Sequence, residues 1–146
     1  MFDIKIDYKK LNTAILQANL LDFVNKLPNI KKIDSVKVDA RTVNDVKVSQ
    51  DGRISVIGRE GASDRKNGII ILDVSNPYDV KILSEYTKNL TGGVHNVFID
   101  NDHVYALSGS QRYFVINIED PKNPVEVGMF EVGKEGQSIH DVWIED

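Results

Sequence analysis

The chain has no cysteine in its 146 residues, which excludes disulfides, a thiolate nucleophile and Cys-ligated zinc together. That absence is compatible with either redox compartment. Nowhere do about 18 apolar residues follow one another, so no membrane span is expected. Met1-Phe2-Asp3-Ile4-Lys5 has neither the basic region nor the apolar region of a signal peptide, and none is expected there. Basic charge is also in short supply: 18 Lys and Arg face 22 Asp and Glu, for a formal net charge of −4. The deficit is uneven. Residues 1–50 carry nine basic and six acidic side chains, whereas 51–146 carry nine and sixteen. An acidic region with scattered lysines suits a phosphate backbone poorly, so no nucleic acid is expected as partner. Ser138 has no GxSxG elbow around it, and no P-loop motif follows Thr91-Gly92-Gly93, which reads as a connector. What remains is ordinary for a soluble globular chain, with 41% hydrophobic and 27% charged residues.

What the chain does have is repetition. Val43-Asn44-Asp45-Val46-Lys47-Val48 returns as Val94-His95-Asn96-Val97-Phe98-Ile99 and again as Ile139-His140-Asp141-Val142-Trp143-Ile144. The spacing is 51 residues from Val43 to Val94 and 45 from Val94 to Ile139. A second phrase, Ile70-Ile71-Leu72-Asp73-Val74-Ser75-Asn76-Pro77, recurs 44 residues later as Phe114-Val115-Ile116-Asn117-Ile118-Glu119-Asp120-Pro121. A period of about 40–50 residues built from short apolar strands marks a propeller or a related stacked array. Each full repeat reads as four strands. An alternating strand opens it, a turn at Asp51-Gly52 or Asn101-Asp102 follows, and a continuous apolar strand ends in a Pro turn before an outer strand.

The expected fold is all-β: an incomplete β-propeller of about two to three four-stranded blades, with an N-terminal helix as a further element. Residues 1–42 form an N-terminal extension, in which 30–38 read as the outer strand of a preceding blade. Residues 43–93 and 94–138 are the two blade repeats, and 139–146 open a third, truncated one. Residues 8–27 admit two readings. Their Leu, Ala, Gln and Lys content favours helix, while Leu20-Leu21-Asp22-Phe23 could instead be a degenerate copy of Ile71-Leu72-Asp73-Val74. Closed propellers use about four to eight blades, so the chain is expected to be a fragment of a larger propeller whose remaining blades are its partners. Alone, it should be aggregation-prone or self-associating.

The phrase ending Asp73-Val74-Ser75-Asn76-Pro77, with His95-Asn96-Val97 and His140-Asp141-Val142 opening the inner strands, resembles the LVIVD-repeat family of β-propellers. The second copy departs from the pattern by Asn117 for the Asp and Glu119 for the Ser. The resemblance covers about residues 43–146. It implies a propeller scaffold and a secreted or cell-surface location for the full-length protein. No catalytic residue set comes with it.

Asn44, His95 and His140 occupy one position in three successive repeats and are the candidates to face a central channel. Neutral imidazole is a good ligand for divalent metals, so His95 and His140 are candidate metal ligands, with Asp45, Asn96 and Asp141 able to supply oxygens or outer contacts. The competing reading has each histidine bonding to a neighbouring blade's backbone. Asp73 and Asn117, with Pro77 and Pro121, are expected to be structural turn residues, since Asp and Asn side chains bond N–H groups two residues on. The preferred function is non-enzymatic: a repeat scaffold that binds a protein or glycan, with no cofactor. The alternative is a metal-assisted hydrolase with its His/Asp/Asn site on the propeller axis.

Overall fold

The computed structural model describes residues 32–133 and 136–144. The described part is all-β, with no helix, and both of its sheets lie in one compact unit, Asp34–Asp146. The first sheet is an antiparallel meander of β1 (Thr42–Val48), β2 (Ile54–Glu60), β3 (Gly68–Asp73) and β4 (Lys81–Tyr86). The second repeats it with β5 (Val94–Asp100), β6 (His103–Ser108), β7 (Arg112–Asn117) and β8 (Val125–Glu131). The helix-or-repeat question over residues 8–27 lies outside the described residues. Residues 32–38, part of the segment read as an outer strand, have irregular backbone.

Each sheet carries the same two irregularities. The first strand bulges against the second between Val43 and Val46, and between Val94 and Asn96. The third bulges against the fourth between Ile71 and Leu72, and between Val115 and Ile116. The ladders therefore equate Val56 with Tyr105, Ile69 with Tyr113, Ile71 with Val115, and Tyr86 with Phe130. A bulge inserts an unpaired residue and turns the strand locally. Its recurrence means the two repeats share geometry as well as wording.

Strand alternation assigns faces. The first sheet presents Val56, Ile69, Ile71 and Tyr86 to the second, in one continuous core. The second sheet answers with Val97, Val104, Ala106, Phe114 and Ile116. These are not the equivalents of the residues they meet. The counterparts of Val97, Ala106, Phe114 and Ile116 in the first sheet are Val46, Ile57, Ile70 and Leu72, on its opposite face. The packing is thus front to back, a head-to-tail contact that does not close on itself. On the rear of the first sheet, Val36 and Val38 pack against the cluster of Ile57, Ile70 and Leu72. Val46 and Val48, farther along that face, are 56% and 55% exposed.

Close approach between the sheets is greatest at the edge strands β1 and β5, where β1 and β2 lie against β5. A Cβ on Gly58 would stand 2.6 Å from the Val94 carbonyl oxygen, so only glycine admits the β5 backbone there. Residues 59–67 are polar and read from the sequence as a loop, but β2 continues through Arg59 and Glu60. Arg59 belongs to β2 and is buried, pairing with Glu85 at 3.0 Å and donating to the Lys66 carbonyl. Its charge is offset by the Glu85 carboxylate, which lets the strand run two residues past the glycine.

Candidate functional site

At the end of the sheets where β1 and β5 begin, an open cavity of about 430 Å³ is lined by Glu60, Gly92, His95, Gly109, Ser110 and His140. Gly93 sits at φ +89, and a Cβ on it would lie 2.8 Å from Glu60 Cγ. This close passage of the chain leaves His95 Nδ1 3.8 Å from Glu60 Oε1. The His140 ring stands edge-on to His95, with centroids 5.2 Å apart and planes at 70°. Of the repeated column, His95 and His140 are brought together, while Asn44 is exposed on β1 and takes no part in the ring contact. Glu60 joins them from outside the repeated phrase. The adjacent Gly92-Gly93 pair is the signal in the sequence for that approach. Among the described residues, no three His, Cys, Asp or Glu side chains are grouped to hold a metal ion.

The residues beside that column play different parts. Asp45 Oδ2 accepts the Val97 N–H at 3.1 Å across the inter-sheet boundary, and both Asp45 oxygens accept from Lys47 Nζ at 2.9 Å. Asn96, at the corresponding bulge of β5, is 8% exposed, and its Oδ1 is buried with no hydrogen-bond partner. Asp141 is exposed and its Oδ1 accepts the N–H of its neighbour Val142 at 2.9 Å. The buried Tyr113 hydroxyl also has no partner. Burial pushes its pKa up to about 12, with the Asp141 and Asp45 charges adding to the effect.

At the opposite end, an open trough of about 740 Å³ runs between the turns of the two sheets, past Asp51, Arg53, Asp73, Asp102, Glu119 and Lys122. Asp51 anchors its own hairpin. The Ser49 hydroxyl, the Arg53 N–H and the Arg53 guanidinium all donate to it and hold its pKa at about 2. Asp73 Oδ1 accepts from the Ser75 hydroxyl and N–H, which lowers its pKa, and Asn117 Oδ1 accepts the Glu119 N–H at 3.0 Å. One turn further, Asn76 and Asp120 each accept an N–H two residues on, from Tyr78 and Lys122. Pro77 and Pro121 stand inside these paired turns, and the Pro121 carbonyl accepts the Ser84 hydroxyl of the first sheet at 2.6 Å. The trough is mixed in charge and rigidly hydrogen-bonded. Sequence reasoning did not single it out, because its residues come from turns of two repeats that only the packing brings together.

The chain matches none of the protein-family models, curated proteins or solved structures with which it was compared.

Proposed function

We propose that this chain is a segment of a β-propeller of the LVIVD-repeat kind, with residues 43–93 and 94–138 as blades, acting as a scaffold that binds a protein or glycan. The observation that carries the reading is the front-to-back packing of two sheets with the same pair of bulges. Such a contact repeats without closing, and further blades are the natural partners of its two outward faces, the rear of the first sheet and the front of the second. The polar trough and the histidine mouth, at the two ends of the blades, are the surfaces offered to a ligand. Both are held by turns and inner strands on a rigid core, the arrangement in which loops carry recognition. The scaffold needs no cofactor.

A second reading, a metal-assisted hydrolase, draws on the meeting of His95 with His140 beside Glu60. One set of measurements separates the two. A glycan array and a panel of ester and phosphoester substrates are presented to the chain and to the variants His95→Ala and Lys122→Ala. Saturable binding without turnover, weakened by either variant, supports the scaffold. Turnover that requires Zn²⁺ or Mn²⁺ and vanishes in His95→Ala overturns it in favour of the hydrolase. Calorimetric titration with Zn²⁺, Mn²⁺ and Ca²⁺ should find no binding tighter than about millimolar, a free energy of only about 4 kcal/mol.

A further inference from the structure

The inner strands offer one backbone group in two bonding states. Val46, Val97 and Val142 hold the same place in the three copies of the phrase. Val46 N–H donates to Oδ1 of its own neighbour Asp45 at 2.8 Å, and Val142 N–H donates to Oδ1 of its own neighbour Asp141 at 2.9 Å. Val97 N–H differs: it reaches back to Asp45 Oδ2 of the preceding sheet at 3.1 Å. Val97 belongs to the strand that is packed on another sheet. Among the described residues, the long bond is made by the copy packed on a preceding sheet, and the other two copies make the local bond.

Asn96 stands in β5 where Asp45 stands in β1, and its Oδ1 is buried without a partner. Buried acceptors are nearly always satisfied, so an orphan of this kind points to a missing donor. The segment in the right place is already beside it. Ile139 N–H donates to the Ser110 carbonyl at 2.7 Å, the Trp143 ring lies 5.4 Å from that of Phe98 on β5, and His140 contacts His95. The side-chain types agree with such a bond. Asp45 has Lys47 to balance its charge, whereas the Lys47 position in β5 is Phe98. A neutral carboxamide there accepts an N–H without leaving an unpaired buried charge. The copies differ at the entry: Gly58 lets the Val94 carbonyl approach β2, while Leu107 occupies that position in β6 and Ile139 is tied to Ser110 instead.

We infer that the Val142 N–H exchanges its local acceptor, Asp141 Oδ1, for the unpartnered Asn96 Oδ1, and that through this bond residues 139–144 dock on the front of the second sheet as β5 docks on the first. This rests on the blade reading and names the contact by which a third blade's inner strand registers on the second. The experiment is amide hydrogen exchange, read by NMR residue by residue, on the whole chain and on Asn96→Ala and Asn96→Asp. The expected result is Val142 exchange slowed by about tenfold or more relative to an unstructured amide. Asn96→Ala abolishes that protection, and Asn96→Asp, which keeps an acceptor but leaves its buried charge without a lysine, retains it with a lower denaturant midpoint, with Val97 protected throughout. Val142 exchanging as an unstructured amide while Val97 is protected overturns the inference and leaves the front-to-back packing intact. Loss of protection at both valines in the unmodified chain overturns the inference and the blade reading together.

Discussion

Tyr86 and Phe130 hold the same place in the two sheets, yet Tyr86 is 9% exposed and Phe130 is 63% exposed. Tyr86 is covered because the second sheet lies over its face, and its hydroxyl donates to Glu126 of β8 at 3.2 Å. Phe130 lies on the corresponding face of the second sheet, with Val127 beside it 55% exposed. An apolar face of this sort drives association. Sedimentation velocity over a range of concentrations should show self-association of the chain, and Phe130→Glu should reduce it. A monomer at every concentration, unaffected by the substitution, would remove the expectation.

Gly58 sets the distance between the sheets. A methyl group there would meet the Val94 carbonyl carbon at 3.4 Å and its oxygen at 2.6 Å, both of them backbone atoms that cannot swing aside. Gly58→Ala is expected to destabilise the chain by about 1–3 kcal/mol, the usual cost of overpacking. The denaturant midpoint measures it. Gly52→Ala offers a contrast, since its Cβ would meet nothing within 4 Å and its penalty comes from the positive φ of 73° alone.

Val97 is completely buried, so its N–H depends on the Asp45 oxygen. Removing the acceptor in Asp45→Ala should cost about 1–3 kcal/mol, the penalty for a buried donor left unpaired. Asp45→Asn keeps an acceptor and loses only the partly exposed pair with Lys47, a change of about 1 kcal/mol or less. Equal losses in urea unfolding of the two variants would assign the effect to the ion pair rather than to the inter-sheet bond.

Two groups make the pH dependence run in opposite directions. The Asp51 carboxyl is held at about 2, below its ordinary 3.8, by Ser49 and Arg53. Its contribution is therefore present above the ordinary value and lost as pH falls through about 2. Carboxyl NMR titration should find that midpoint, and Ser49→Ala should move it upward. Tyr86 lies the other way, raised from 10.0 to about 12 by burial first and then by Glu126. Its contribution is complete below pH 10 and lost as pH rises from there through about 12. Phenolate absorbance should show Tyr86 ionising late together with Tyr113, and Tyr86→Phe should reduce that late component by one phenol and leave the Tyr113 part.

Much of the fold could be read before any coordinates, because it is written twice. Alternation in Val43-Asn44-Asp45-Val46, the turn at Asp51-Gly52 and the apolar run of Ile69-Ile70-Ile71-Leu72 are local signals, and local signals survive in a linear text. Which face of each sheet meets the other is not local. Ile70 and Ile71 look alike in the sequence, but Ile71 packs toward the second sheet and Ile70 toward Val36 and Val38. The site was legible in the same partial way. His95 and His140 stand out through repetition, whereas Glu60 enters only through the close passage at Gly93, and Arg59 resembles a loop residue until Glu85 is placed beside it. The trough residues Asp51, Asp102 and Lys122 meet through packing between repeats, which no window along the chain contains.

A junction in which the rear of one layer fits the front of the layer before it has a consequence for how such chains change length. Duplicating or excising a whole unit, cut at matching points near Val43 and Val94, brings together surfaces that already match. Copy number can then drift in steps of one unit without any new junction having to be invented. Partial units have no such latitude, because a cut inside a meander parts strands whose ladders have no substitute.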